Sequence, residues 1–179
     1  MQQSSPWIKR LAPRIWDVLA LLLVAFALWK IFIAPRNLDL HNAQPAPHAT
    51  YARLDGGTFS VVEERGHLLF LDFYASWCEP CKVEAPMVEK WARENPNAEV
   101  VPVDVGEPAA VARAFAHQYD LHNVALDPSG NAQALFDVQG FPTVIVIDSS
   151  GRIRAKWPGL NPAIALAMSN AQKALGDSR

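Results

Sequence analysis

Residues 71–81 read LDFYASWCEPC, and the apolar run starts three residues earlier, so that 68–74 is LLFLDFY. A stretch apolar nearly throughout is expected of a central strand covered on both faces. Cys78 falls just after that strand, where a helix over 78–94 is predicted, with Pro86 inside it as the place for a kink. A sulfur is thus set at the junction of a buried strand and a helix start.

Outward from this junction the chain alternates between strand-like and helix-like runs. Residues 51–62 hold the turn Asp55-Gly56-Gly57 between short extended pieces. EVVPVDV (99–105) is predicted as a strand and 108–118 as a helix with Pro108 near its start. A short edge strand over 124–126, a helix over 129–136 and a strong strand TVIVID (143–148) follow. Ser149-Ser150-Gly151 is a hairpin turn into a strand at 153–157. The last helix is predicted over 161–175, with Asn161 as its N-cap and Pro162 at its first position. This order gives an α/β sandwich with a mixed sheet.

The chain has 179 residues, half of them apolar and 19% charged, with a net charge of −2. That composition suits a packed core and points to no nucleic-acid partner. There are two cysteines, Cys78 and Cys81. Two cannot build a disulfide framework, and without further Cys or His at ligand spacing they make a poor structural zinc site. No metal is expected. A redox couple is the leading reading.

The N-terminus differs from the rest. Residues 15–34 are almost wholly apolar, with Asp17 and Lys30 near the two ends. About 20 residues at roughly 1.5 Å rise match a bilayer of about 30 Å. Trp16 and Trp29 sit where interfacial aromatics lie, and Lys9, Arg10 and Arg14 precede the span, which keeps residues 1–14 cytoplasmic. The stretch exceeds a usual signal-peptide core, and Ala34 is followed by Pro35, a poor cleavage context. It is therefore read as an uncleaved transmembrane anchor through a lipid bilayer. Residues 35–50 are polar, with Pro45 and Pro47, and are read as a tether to an outer domain at 51–179.

A helix N-terminus stabilises a thiolate through its free N–H groups and its dipole. Cys78 is expected to be the exposed attacker on a partner disulfide. Cys81, one turn along on the same face, is the more buried resolver of the mixed disulfide. No cofactor is needed beyond the Cys78–Cys81 pair.

These residues carry a resemblance. FYASWCEPCKVEAP (73–86), VPVDVGEPAAVARAFAHQYDL (101–121), ALDPSGNAQALFDVQGFPTVIVIDSSGRI (125–153) and Gly159 resemble thioredoxins, and among them the membrane-tethered TlpA/ResA-like group. The likeness spans roughly 52–175. It implies a thioredoxin-like fold, a central mixed sheet flanked by helices, with a helix-strand insertion in the middle piece. It also implies exchange of disulfides with Cys-containing proteins on the periplasmic side of a bacterial inner membrane. Apocytochrome c is a family example of such a substrate, and a membrane thiol reductant of the DsbD/CcdA type is the implied electron source.

The resemblance also assigns roles. Pro142 matches a cis-proline that faces the cysteines, which leaves the Phe141 backbone free to pair with an extended substrate. Asp72, a charge inside a buried strand, should have a raised pKa and can relay the Cys81 proton. TlpA-like chains often have a neutral residue there, so Asp72 is nearer to thioredoxin proper. Glu84 matches a Glu close to the cysteines in ResA-like chains. Glu79 and Pro80 tune the redox poise, and Trp77 offers substrates an apolar platform. A thiol oxidase or isomerase of the same fold is the alternative. A copper- or zinc-binding module is a third reading, for which His117 and His122 are the available histidines. A peroxidase does not fit, because no lone peroxidatic Cys is present.

Overall fold

The structure, a computed structural model, describes residues 8–32, 43–64 and 66–176. The chain divides into two units, Met1–Pro35 and Arg36–Arg179. The first contains helix α1 (Ile8–Phe32), along which Leu21, Leu23 and Phe26 are each more than half exposed. Among the described residues no helix is long and apolar enough to cross a membrane. Side chains of the expected 15–34 span are described only for residues 16–28.

The second unit is built on an eight-stranded sheet. Its elements in chain order are β1 (Gln44–Pro45), β2 (Thr50–Arg53), β3 (Thr58–Ser60), β4 (Leu68–Tyr74), α2 (Glu79–Glu94), β5 (Ala98–Val105), α3 (Ala109–Tyr119), β6 (Ala125–Asp127), α4 (Asn131–Phe136), β7 (Thr143–Ile147), β8 (Arg152–Pro158) and α5 (Ile164–Leu175). The strand order is β1-β8-β7-β4-β5-β6-β2-β3. β4 pairs parallel with β5 and antiparallel with β7, so the sheet is mixed, as expected. The helix and strand of the middle piece are α3 and β6.

Every residue of β4 is buried, because both faces are covered. Side chains alternate across a strand. Leu69, Leu71 and Phe73 pack with Val101, Val103, Ile145 and Phe136 on one side. Leu68 and Phe70 pack with Val88 and Trp91 of α2 and with Ile164 and Met168 of α5 on the other. Asp72 and Tyr74 continue this second row. The period of two therefore turns a carboxyl and a phenol toward the helix that carries the cysteines.

Several expectations are corrected. The 124–126 strand is not at an edge: β6 lies between β5 and β2. A strand of three residues looks peripheral in sequence, and only its ladder partners reveal its place. α5 begins at Ile164, and Asn161 is not its N-cap. Asn161 instead gives its N–H to Glu84 and accepts at Oδ1 from Ala163 N–H, forming the turn before the helix.

Residues 43–50, read as tether, belong to the sheet. β1 pairs with β8, Ala46 N–H donates to Gly151 O at 2.9 Å, and Ala43, Ala46 and Ala49 are buried. Small side chains let this proline-containing strand lie close against the sheet edge, a permitted place for proline. Arg152 fastens it, donating from Nε and Nη2 to Ala43 O at 3.1 and 2.7 Å. Arg152→Ala is expected to lower stability by about 1 kcal/mol and to speed protease cutting within 43–49. An unchanged denaturation midpoint and cleavage rate would show that the backbone pairs alone hold β1.

Candidate active site

β4 delivers the chain into a short turn, 75–77, and then into α2. Cys78 is the N-cap of α2, in extended conformation (φ −80°, ψ 105°), and Pro80 lies in the first turn. A proline is tolerated there because the first-turn N–H groups have no helical partner. The N–H of Cys81 points to Cys78 Sγ at 3.2 Å. The helix thus aims a donor at the sulfur, which is the arrangement that stabilises a thiolate in the reduced state. In the structure the pair is oxidised: Cys78 and Cys81 are disulfide-bonded, with Cα atoms 5.3 Å apart.

The expected exposure of Cys78 needs correction. Cys78 is 4% exposed and Cys81 is 0% exposed. The order is as predicted, but in the disulfide state both sulfurs belong to a small apolar cluster with Tyr74, Ala85, Phe115 and Ala116. Ring closure directs the Cys78 sulfur toward Cys81 and the helix interior. Sequence periodicity places a residue on a face but does not show what packs over it.

The surroundings of the pair are apolar and partly open. Trp77 is 68% exposed and meets the half-buried Phe141 edge to face, with centroids 6.0 Å apart. The Phe141–Pro142 peptide bond is cis. Pro142 is buried, its carbonyl accepts from Gly159 N–H at 2.7 Å, and Thr143 Oγ1 donates to Gly140 O at 2.7 Å. Gly159 has φ +74°, a conformation that other residues adopt rarely.

Asp72 is 2% exposed, and its Oδ1 has no hydrogen-bond partner among the described residues. Burial pushes its carboxyl well above the usual range, and the charge of Glu84 adds to this. Glu84 is 1% exposed, on the buried face of α2, and accepts from Asn161 N–H at 2.6 Å. The structure therefore brings Asp72 and Glu84 into one electrostatic unit. Glu79 is different: it lies on the exposed side of the first turn and pairs with Lys82.

Of the two candidate histidines, His117 is exposed on α3 and His122 is engaged by Glu89. His122 Nδ1 lies 2.7 Å from Glu89 Oε1, and its backbone N–H donates to Glu89 Oε2. Among the described residues no group of three or more His, Cys, Asp and Glu could hold a metal ion.

Residues that sequence reasoning missed complete the site. Glu107, just past β5, accepts from Ser76 N–H and Ser76 Oγ, each at 2.6 Å. Asp104 stands across the ladder from Tyr74 and is fully buried. Burial, and secondly Glu107, pushes the Asp104 carboxyl up to about 7. The same buried acids, with desolvation leading, push the Tyr74 phenol upward. A signal for Asp104 was present: it is a charge inside EVVPVDV, as Asp72 is a charge inside LLFLDFY.

Comparison with known proteins settles the kinship. The family model described as the AhpC/TSA family matches residues 43–156. The chain belongs to the AhpC/TSA family. Within it, the chain is 29% identical over 139 residues to a thiol-disulfide oxidoreductase ResA of Bacillus cereus, covering 76% of this chain and 80% of the relative. A crystal structure of a putative thiol:disulfide interchange protein DsbE from Chlorobium tepidum superposes with a TM-score of 0.70 at 28% identity, covering 76% of this chain and 99% of that one. The pneumococcal exposed lipoprotein thioredoxin Etrx1, from Streptococcus pneumoniae strain TIGR4, gives a TM-score of 0.63 at 27% identity, covering 72% of this chain and 99% of that one. The chain is a TlpA/ResA-type thioredoxin-like protein and a thiol-disulfide oxidoreductase. Cys-containing proteins are its substrate class.

Proposed function

We propose that this family member is a membrane-anchored reductase that opens disulfides of proteins outside the cytoplasm. The observation that carries the reading is the Cys81 N–H aimed at Cys78 Sγ at the start of α2, beside the exposed Trp77 and Phe141. In the reduced protein the Cys78 thiolate attacks one sulfur of a partner disulfide. A Cys78–partner bond forms, and the partner's other sulfur leaves as a thiolate. Cys81 then loses its proton and attacks Cys78 Sγ. The internal disulfide closes and the second partner sulfur is released; two electrons have passed to the partner.

The remaining roles follow from placement. Trp77, Phe141 and the strand opening at Pro142 receive an extended substrate segment. Asp72, whose pKa is raised, and Glu84, buried on α2 like Cys81, take up and return the Cys81 proton. Glu79 and Pro80 set the potential from within the ring; a tenfold change in the closure equilibrium is about 30 mV. The enzyme has no cofactor beyond its cysteine pair and binds no metal.

The anchor is argued from α1. A helix with Leu21, Leu23 and Phe26 outward lacks a polar face, and such a helix is stable when lipid or protein covers it. Lys9, Arg10 and Arg14 lie in its first turns, ahead of the apolar stretch, which orients the cysteine domain outward. The relative described as an exposed lipoprotein is consistent with work on that side. Regeneration there needs a membrane thiol reductant of the DsbD/CcdA type, and apocytochrome c is the favoured substrate.

The test is a trap. In native membranes, Cys81→Ala leaves the mixed disulfide without a resolver. The adducts captured on Cys78 should be secreted or membrane-exposed proteins, apocytochromes among them. Recovery of cytoplasmic partners only would overturn both the topology and the substrate class.

A further inference from the structure

Glu107 links the end of one strand to the turn that presents the cysteines. It follows Gly106, whose φ of +77° swings the chain back over the sheet end. Both of its oxygens are occupied by Ser76, one by the backbone N–H and one by the hydroxyl, each at 2.6 Å. Ser76 is two residues before Cys78, and the turn is closed by Cys78 N–H donating to Ala75 O at 3.1 Å. A single side chain from beyond β5 therefore fixes the turn from which Cys78 emerges.

Behind Glu107 sits Asp104. It is fully buried, and neither of its oxygens has a donor among the described residues. Glu107, three residues on, is the charged group that acts on it, and two negative charges there repel each other. Tyr74, opposite Asp104 in the ladder, also has a buried hydroxyl without a partner among the described residues. The charged groups that act on Asp104 and Tyr74 are Glu107 from the loop after β5 and Asp72 on β4, with no cation among them. The apolar side is closed by Phe115 of α3, stacked on Tyr74 at 4.9 Å. Nothing nearby compensates a second negative charge.

We propose that Glu107 is a positioning residue for the cysteine pair, clamping the Ser76 turn so that Cys78 and Cys81 close their ring, and that the clamp holds while Asp104 is neutral. Glu107 then keeps both hydrogen bonds from Ser76. Once Asp104 ionises, its charge repels that of Glu107 and the clamp loosens. The disulfide is then less favoured. By reciprocity, closing the disulfide tightens the hold of Asp104 on its proton. Asp104→Asn keeps the size and polarity of the side chain but cannot titrate.

This rests on disulfide exchange at Cys78 and Cys81, and the test separates the two. The full-length chain in detergent micelles is equilibrated with oxidised and reduced dithiothreitol from pH 5.5 to 8.5. Closing the ring oxidises two thiols to one S–S bond; two electrons and two protons go to dithiothreitol disulfide, which opens to the dithiol. Glu107→Gln should lower the closure constant about tenfold at pH 6.5, or about 30 mV. Ser76→Ala should lower it about threefold, and the double variant should be no worse than Glu107→Gln, because both act through one contact. Asp104→Asn should stay within twofold of the parent at pH 6 and lose a break in the pH dependence near 7. A Glu107→Gln constant within twofold of the parent, additive effects in the double variant, or an unchanged break in Asp104→Asn would each overturn the proposal. If Glu107→Gln does not fold, Ser76→Ala and Asp104→Asn decide it. A parent chain that never closes its ring in this buffer would instead overturn the exchange reaction itself.

Discussion

Cys78→Ser is expected to abolish reduction of a protein disulfide, a loss of about a thousandfold or more, while leaving the fold intact. The reason is the nucleophile: an alkoxide is out of reach at neutral pH, whereas a thiol at a helix N-terminus ionises readily. Cys81→Ala should behave differently. Its Cys78 still attacks, so one partner thiolate is released per chain in a single burst, and turnover then stalls at the mixed disulfide. Rapid-mixing measurements on an insulin disulfide read both outcomes. Appreciable turnover by Cys78→Ser would show that the attacking sulfur has been misassigned. The one thiol left in Cys78→Ser is Cys81, which is fully buried and out of a partner's reach.

The second large effect concerns pH and stability. Asp72 and Asp104 are both carboxyls whose pKa is raised in the folded protein, Asp72 by burial and then Glu84, Asp104 to about 7 by burial and then Glu107. An acid with a raised folded pKa binds its proton more tightly when folded. The unfolded chain releases that proton near the ordinary value of 3.8, so stability is highest below about pH 4 on this account. It falls as pH rises from there toward the folded pKa, and it levels off above. Moving Asp104 from 3.8 to about 7 corresponds to an upper limit of about 4 kcal/mol at pH 8. Local rearrangement and water entry reduce this, and a gain of about 1–3 kcal/mol is expected for Asp104→Asn at pH 8. At pH 4 the variant and the parent should be alike. Urea midpoints of the oxidised protein at the two pH values check it. An equal gain at both would mean that Asn packs better and that no buried charge is involved.

These two expectations draw on different sources. The place of the two cysteines at the start of α2 was readable from WCEPC because a strand, a helix start and a turn of spacing are local properties. Asp72 was readable for a related reason: a charge in an otherwise apolar strand conflicts with burial, and the structure buries it, which pushes its carboxyl pKa up. Asp104 is less legible, because the strand EVVPVDV also carries Glu99 at its half-exposed end and so does not stand out as an apolar run with one charge.

The sequence alone determined the order of strands and helices, the mixed sheet, and the placement of two sulfurs at the mouth of α2. Each depends on periodicity, turn residues and helix-start chemistry within a few positions of chain. Tertiary structure alone decided the rest. It buried Cys78 in a cluster that includes Phe115, placed β6 inside the sheet, paired Gln44–Pro45 with β8 at its edge, moved the start of α5 to Ile164, and joined Ser76 to Glu107 across 31 residues. Burial and long-range hydrogen bonds depend on which elements become neighbours. That is set by the packing of the whole sheet, and no local window of sequence contains it.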